Sequence, residues 1–143
     1  MTIKQLSIFV ENKAGTVAEI TKRLADASVS IRALSVADTQ EFGILRLIVD
    51  DVEKAKEALS ESDCVVSITK VIGVEIPDVA GGLSNVLQLM SKSGINVEYL
   101  YAFITISGKH AYVVLRVEDN DKAIEILTKN GVKLVTQEDI DAL

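Results

Sequence analysis

The sequence predicts an α+β fold made of two tandem βαββαβ modules, each with an antiparallel sheet. Three observations carry this prediction. The chain aligns with itself at a shift of 66 residues, which places Gly15 on Gly81, and at a shift of 68 in the later part of each copy. Within each copy, alternating apolar runs are separated by segments whose apolar residues recur at helical spacing. A glycine also stands where the first strand of each copy passes into a helix. We therefore expect one module at residues 1–70 and another at 71–143.

The first copy shows the βαββαβ order element by element. An alternating run that ends at Val10 predicts a strand, and the apolar residues from Val17 to Ala27 recur every three or four positions, as in an amphipathic helix. A hairpin loop is expected at 39–41, and either Asp50 or Asp51 is expected to cap the second helix. The remaining predicted elements are strands at 29–38, 44–50 and 64–69 and a helix at 52–60.

The second copy repeats this order and is two residues longer, with the insertion between Ile104 and His110, where a hairpin loop accommodates it. Gly94 and Gly131 follow the two helices, as C-terminal capping glycines do. A βαββαβ unit folds into a four-stranded antiparallel sheet with both helices on one face, the ferredoxin-like arrangement. The predicted elements are strands at 71–76, 95–105, 111–117 and 132–135 and helices at 82–92 and 121–129.

The alternation along the strands also predicts which side chains face away from the helices. Leu47 and Leu115 are expected to face the helices, so their sequence neighbours face the other side. An exposed surface that is this apolar is uncommon in a monomer, and we therefore expect either a homodimer or an equivalent surface packed against the two sheets. The side chains expected on the open face are Ile44, Arg46 and Ile48 in the first copy and Tyr112, Val114 and Arg116 in the second. Leu34, Val36, Leu100 and Ala102 are expected to join them unless a bulge in the long second strands reverses their parity.

Composition disfavours several classes of partner. A formal net charge of −6 opposes a nucleic acid, which requires a basic surface. RNA-recognition modules share the βαββαβ order but stack bases on aromatic side chains, whereas the predicted open faces here are mainly aliphatic. No apolar run reaches the roughly 18 residues that cross a bilayer, and no signal peptide is expected. With Cys64 as its one cysteine, the protein is expected in the reducing cytoplasm, without a nucleic-acid or membrane partner.

The supply of reactive side chains disfavours catalysis and metal binding. His110 is the only histidine and falls in an expected hairpin loop, while Cys64 begins a short apolar strand as a buried, inert thiol. Zinc takes three or four such ligands. The paired carboxylates at 50–51 and 118–119 are expected to begin helices, where they complement the helix dipole. We therefore expect no enzyme activity, no metal and no cofactor.

The glycine-containing turn between the first strand and the first helix of each copy is the candidate binding site. Glycine permits positive φ and lets a ligand approach the main chain. The first turn of the following helix offers unpaired N–H groups at the positive end of its dipole, which suits a free carboxylate. The turn residues are Asn12, Lys13, Ala14, Gly15, Thr16 and Val17 in the first copy and Asp78, Val79, Ala80, Gly81, Gly82 and Leu83 in the second.

A duplicated βαββαβ unit with D-x-x-G-x-L at the turn and G-I-N-V at the second strand resembles the ACT domain. The second copy matches these motifs through Asp78, Gly81, Leu83 and residues 94–97. The first copy departs from them, with Asn12 in place of the aspartate. The resemblance covers essentially the whole chain as two tandem copies.

This resemblance implies a non-catalytic regulatory or sensor protein that binds a free amino acid at interfaces between ACT modules. Turn N–H groups would take the α-carboxylate, and side-chain oxygen atoms of Asn12, Asp78 or Asn96 would take the α-ammonium group. The resemblance leaves open the alternative of a regulatory subunit of a separate amino-acid biosynthetic enzyme. The start of the second strand, often from the adjoining module, completes such sites, and by position it supplies Ser30, Ile31, Asn96 and Val97.

Overall fold

A computed structural model describes residues 1–38, 41–104 and 109–143. Its element order confirms the predicted α+β fold with two βαββαβ sets. Residues 39–40 of the hairpin loop expected at 39–41, and residues 105–108 of the segment with the two-residue insertion, lie outside the described residues. The elements are β1 (Ile3–Glu11), α1 (Thr16–Asp26), β2 (Ile31–Asp38), β3 (Phe42–Val49), α2 (Val52–Leu59), β4 (Val65–Pro77), α3 (Gly82–Lys92), β5 (Val97–Ala102), β6 (His110–Val117), α4 (Asn120–Lys129), β7 (Lys133–Val135) and α5 (Gln137–Asp141).

The chain forms two compact units. The N-terminal unit comprises Lys4–Thr69 and Leu143, and the C-terminal unit comprises Met1–Ile3 and Lys70–Ala142. Strand β4 is continuous from Val65 to Pro77, where two separate strands joined at Lys70 were expected. No helix in the described parts of the chain has the length and apolar composition needed to cross a membrane.

The N-terminal unit has the strand order β2-β3-β1-β4, with β3 antiparallel to both β1 and β2. Helices α1 and α2 cover one face of this sheet, and the core between them is aliphatic. The N-cap of α2 is Asp51, whose Oδ1 accepts a hydrogen bond of 3.0 Å from the Lys54 N–H. Asp50, the other candidate, bonds to Ser30 instead. The buried core residues are Leu6, Ile8, Val10, Ile20, Leu24, Val29, Leu45, Leu47, Val49, Val52, Ala55 and Leu59.

The C-terminal unit repeats this plan, with β4 paired to β6 and β7 and with β5 paired to β6, all antiparallel. Asp119 caps α4 as Asp51 caps α2. Helix α5 is additional to the prediction. It begins with a capping box in which the Thr136 N–H donates to Asp139 Oδ2 at 2.8 Å and the Asp139 N–H donates to Thr136 Oγ1 at 3.1 Å. The hydrogen bond from the Thr136 N–H to the carboxylate is the largest cause of the lowered pKa of Asp139, and the Thr136 side chain adds to it.

Strand β2 carries a β-bulge that reverses its alternation. Between Ile31 and Ala33 the strand advances by two residues while β3 advances by one. Beyond the bulge, Leu34 lies directly opposite Leu47, and directly opposed residues of an antiparallel pair share a face. Leu34 and Val36 therefore lie on the helix side. The prediction that they lie on the open face was wrong, because one extra residue moves every later side chain to the other face.

Strand β5 has the same bulge at the equivalent position, between Val97 and Tyr99. Leu100 consequently lies opposite Leu115, on the helix side of the sheet. Ala102, which lies further along the same strand, follows the same parity. The open-face prediction was wrong for these two residues as well. The bulge is thus a duplicated feature of both units.

The exposed apolar side chains of the sheets are not where the alternation predicted an open surface. Ile48 and Val114, expected on the open face, are completely buried. Leu34, Val36 and Leu100 are instead 43%, 48% and 38% exposed, on the helix side of strands at the end of each sheet order. We refer to these three side chains as the edge row.

Candidate functional site

The turn between β1 and α1 ends at a glycine in the left-handed region. Gly15 has φ 89° and ψ −14° and is the N-cap of α1 without a side chain to bond to the helix. The first helical hydrogen bond runs from the Glu19 N–H to the Gly15 carbonyl at 2.9 Å. The N–H groups of Val17 and Ala18 therefore lie in the uncapped first turn, beside the positive end of the helix dipole.

The turn between β4 and α3 has the same geometry. Gly81 has φ 88° and ψ −7°, and it also caps its helix without a side-chain hydrogen bond. The Asn85 N–H donates to the Gly81 carbonyl at 2.9 Å, which leaves the N–H groups of Leu83 and Ser84 in the uncapped first turn. A Cβ atom at Gly15 or Gly81 would have no atom within 4 Å, so both turns border open space.

Each turn is hydrogen-bonded to the residue that directly precedes the third strand of its unit. The Asn12 N–H donates to the Glu41 carbonyl at 2.8 Å, and the Asp78 N–H donates to the Lys109 carbonyl at 3.0 Å. The Asp78 residue is exposed. These two backbone bonds occupy equivalent positions, so the two copies position their turns by the same contact.

The second-strand residues of the N-terminal unit lie at the opposite end of α1 from the turn. The Ser30 N–H donates to Asp50 Oδ1 at 2.9 Å, and the Ser30 carbonyl accepts from the Asp50 N–H at 3.1 Å. Helix α1 has 11 residues and is therefore about 16 Å long. Within this unit, the structure does not bring Ser30 and Ile31 together with the turn at 12–17.

The same separation holds in the C-terminal unit. Asn96 and Val97 line a groove of about 420 Å³ together with Met90 and Gly94, at the C-terminal end of α3. The turn at 78–83 lies at the N-terminal end of that helix. The candidate residues of each unit thus form two groups, one at each end of the first helix.

A cavity of about 250 Å³ lies beside the turn of the N-terminal unit, and we call it the N-terminal cavity. Of the predicted turn residues, Lys13 and Thr16 line this cavity, but its other lining residues were not predicted. The Oγ1 atom of Thr16 is shielded from solvent and has no hydrogen-bond partner among the described residues. The lining residues are Phe9, Val10, Glu11, Lys13, Thr16, Glu19, Ile20, Arg23, Phe42, Glu61, Ser62, Asp63, Cys64 and Val65.

Both cationic side chains of the N-terminal cavity form ion pairs. Lys13 Nζ lies 3.1 Å from Glu11 Oε2, and Arg23 Nη2 lies 3.1 Å from Glu19 Oε1. The hydrogen bond to Glu11 is the largest cause of the raised pKa of Lys13, and the charge of Asp63 adds to it. The cavity therefore has a surplus of carboxylates over cations.

A second cavity, of about 400 Å³, lies at the equivalent place in the C-terminal unit, and we call it the C-terminal cavity. Its carboxylate, Glu75, is 13% exposed. Lys133 Nζ lies 2.8 Å from Glu75 Oε2, which is an ion-pair distance, although the two groups are not aligned as a hydrogen bond. His110 Nδ1 lies 3.4 Å from Glu75 Oε1. Glu75 in turn raises the pKa of Lys133. The other lining residues are Ile76, Pro77, Gly82, Asn85, Val86, Gly131 and Val132.

His110 and Cys64 differ from their predicted surroundings. His110 is the first residue of β6 rather than part of a loop, because Pro77 at the end of β4 is its strand partner. Cys64 is half-buried, not buried, since it precedes β4 and lines the N-terminal cavity. Among the described residues, no group of three or more His, Cys, Asp or Glu side chains is arranged to hold a metal ion.

The alignment of the two copies places the residues that line the two cavities at equivalent positions, including those that do not belong to the predicted turns. Shifts of 66 and 68 residues superimpose the positions that line both cavities. The aligned residues differ in chemistry, since three apolar side chains in the first copy correspond to three ionisable ones in the second. The three positions are Phe9 and Glu75, Phe42 and His110, and Val65 and Lys133.

The family described as ACT domain pair matches residues 1–143. Protein BT0572 from Bacteroides thetaiotaomicron has a similar structure, with a TM-score of 0.92 and 41% identity over 100% of this chain and 98% of that chain. The ligand-free regulatory subunit of aspartate kinase from Thermus thermophilus is similar in fold, with a TM-score of 0.65 and 17% identity over 90% of this chain and 92% of that one. No curated protein matches this chain.

Proposed function

This chain belongs to the ACT domain pair family, and from that premise we propose that it is a non-catalytic regulatory or sensor protein that binds a free amino acid between ACT modules. One observation carries the proposal. Both first helices begin at a left-handed glycine, without a side-chain cap, beside open space. Such a helix start favours an anionic group that approaches the backbone, and the α-carboxylate of an amino acid is one.

The ammonium group provides the second half of the recognition. Asp78 stands exposed at the start of the second turn, and Asn12 occupies the equivalent place in the first. A carboxylate beside an ammonium group forms a charge-assisted hydrogen bond, whereas it repels a ligand that carries only negative charge. Because Ser30, Ile31, Asn96 and Val97 lie at the other ends of the helices, we propose that they complete the site of a neighbouring module.

We expect Gly15→Val and Gly81→Val to weaken amino-acid binding about tenfold or more each. Valine at φ near 90° is strained, so the turn moves, and its side chain occupies the space that the ligand would enter. A thermal-shift screen of the twenty amino acids identifies the ligand first, because a ligand at 100 times its dissociation constant adds about 2.7 kcal/mol of stability. Isothermal calorimetry then compares the variants.

Blocked ligands provide the control for this experiment. The α-amide and the N-acetyl form of the ligand each lack one of the two charges, and each is expected to bind about tenfold more weakly, which corresponds to about 1.4 kcal/mol. If both blocked forms bind as tightly as the free amino acid, the turns do not hold the backbone groups. A screen without any stabilising amino acid would count against the function itself.

We also propose that the chain forms a homodimer, and the edge row supports this. Leu34, Val36 and Leu100 are exposed on strands that lie at the ends of the sheet order, where main-chain groups are available for pairing. Light scattering at high micromolar concentration should give twice the mass of 15.5 kDa. Leu34→Glu combined with Leu100→Glu should give the single mass, whereas a wild-type monomer would exclude the dimer.

A second candidate function is a regulatory subunit of a separate amino-acid biosynthetic enzyme, and the edge row is equally suited to such a partner. The similarity to the Thermus thermophilus kinase subunit concerns the fold, so it does not identify the enzyme. The half-buried thiol of Cys64 suits the reducing cytoplasm, where such an enzyme would act. A change in the activity of a candidate enzyme on addition of this protein would favour the subunit over the stand-alone sensor.

A further inference from the structure

The two cavities occupy equivalent places but offer a ligand different charges. In the C-terminal cavity, Glu75 already has two partners, Lys133 at 2.8 Å and His110 at 3.4 Å. In the N-terminal cavity, the two cations are held by Glu11 and Glu19. The carboxylate of the C-terminal cavity is therefore balanced by cations of the same unit, whereas the N-terminal cavity has more carboxylates than cations.

Glu61 and Asp63 are these surplus carboxylates. Both line the N-terminal cavity, and neither has a cationic side chain within ion-pair distance in the described parts of the chain. Two unbalanced carboxylates beside a concave surface attract a positively charged group, such as an ammonium ion. A dicarboxylic ligand would be repelled there.

A shielded hydroxyl belongs to another residue that lines the cavity. Thr16 lines it, and its Oγ1 atom is shielded from solvent and has no hydrogen-bond partner among the described residues. A shielded polar atom of this kind ordinarily has a partner. Thr16 is the first residue of α1, next to the uncapped N–H groups of Val17 and Ala18. A carboxylate placed beside Thr16 would accept from the hydroxyl and from the first-turn N–H groups together.

Other residues that line the cavity are apolar. The rings of Phe9 and Phe42 lie with their centroids 5.4 Å apart, and Ile20 and Cys64 also line the cavity. An aliphatic side chain placed against these groups gains from leaving water, at no cost in unpaired polar groups.

We propose that the N-terminal cavity holds an aliphatic α-amino acid, with its ammonium group at Glu61 and Asp63, its carboxylate at Thr16 and the first turn of α1, and its side chain against Phe9 and Phe42. This inference rests on the proposed function and deepens it, because it names the ligand class and assigns the ammonium group to a segment outside the turn. The C-terminal cavity lacks both the hydroxyl group and the unbalanced carboxylates. Gly82 stands at the position of Thr16 without a hydroxyl group, and Glu75 is neutralised internally.

Calorimetry with L-leucine as the probe tests this assignment. We expect leucine to occupy the N-terminal cavity once per chain, with L-glutamate binding there at least about tenfold more weakly than leucine. Glu61→Gln combined with Asp63→Asn should weaken leucine binding about tenfold or more, the effect typical of losing a charge-assisted hydrogen bond. Both residues are exposed, so the double variant should keep its fold. Glu118→Gln with Glu125→Gln makes the same change in net charge on exposed residues elsewhere and should leave binding unchanged.

N-acetyl-L-leucine, which lacks the positive charge, provides a sharper readout. It should bind the wild type about tenfold more weakly than leucine does. To the Glu61→Gln, Asp63→Asn variant, N-acetyl-L-leucine and leucine should bind with about equal affinity, because the acidic partners of the ammonium group are then absent. Thr16→Val keeps the shape of the side chain and should lose several-fold in affinity for both compounds. If leucine or another amino acid binds and these variants change nothing, amino-acid binding stands and the cavity assignment is wrong. If none of the twenty amino acids binds, the proposed function fails as well.

Discussion

Replacing Leu115 by alanine is expected to lower the free energy of unfolding of the C-terminal unit by about 3 kcal/mol. Leu115 is completely buried in the core of that unit, between the sheet and helices α3 and α4. Alanine removes three carbon atoms and leaves a void that close-packed neighbours fill only in part. Urea unfolding measures the loss, and tyrosine fluorescence reports on this unit alone, because all three tyrosines, at positions 99, 101 and 112, belong to it.

Leu100→Ala is the matched control for Leu115→Ala. Leu100 lies directly opposite Leu115 on the same face of the sheet, yet it is 38% exposed. The same chemical change should therefore cost about 1 kcal/mol or less at this position. Equal losses at the two positions would mean that the edge of the sheet is covered as deeply as its centre, contrary to the structure.

The second large effect is expected at Gly82, where alanine should destabilise the C-terminal unit by about 2 kcal/mol. A Cβ atom at this position would overlap the carbonyl oxygen of Pro77, a main-chain atom that cannot rotate away. The better helix propensity of alanine offsets part of the loss. Thermal unfolding followed by the tyrosine signal measures the balance.

Two further substitutions distinguish this overlap from other effects of replacing a glycine. Gly81→Ala adds a Cβ with no atom within 4 Å, so its cost, about 1 kcal/mol, arises from the left-handed backbone alone. Thr16→Ala changes the equivalent of Gly82 in the first copy, where a side chain is already accommodated, and should have little effect on stability. If Gly82→Ala is as mild as Thr16→Ala, α3 begins with more room than the structure shows.

Local patterns in the sequence predicted the helices well. Helix α3 begins at Gly82 and ends at Lys92, as predicted, and α1 begins at Thr16. These bounds depend on spacing and on capping glycines, which are local properties. The capping box of Thr136 and Asp139 is also a local signal, and it marks the start of α5, which was not predicted.

The faces of the edge strands could not be predicted in the same way. A bulge is a mismatch between two strands, so it depends on the register of β2 with β3 and not on the sequence of β2 alone. Alternation counted from Ile31 without that mismatch assigns Leu34 and Val36 to the wrong face. The duplicated bulge in β5 gave the same error twice, so internal repetition could not reveal it.

The candidate site shows a similar division. Turn chemistry identified Gly15 and Gly81, because uncapped helix starts are readable from glycine and from the preceding strand. The cavity walls at Phe9, Phe42 and 61–65 come from three separate parts of the chain, which only the fold brings together. No local pattern marks such residues, although the correspondence between the two copies places them at equivalent positions.

The grouping of Ile3 with the C-terminal unit has a consequence for how the protein can be divided. A Cβ placed on Gly73 would lie 3.3 Å from Ile3 Cδ1, and Ile3 is completely buried. The polypeptide thus starts in one unit, leaves it after three residues and returns at Lys70. A single proteolytic cut therefore cannot release two intact halves, since any fragment that starts near Lys70 lacks the isoleucine that fills the space above Gly73.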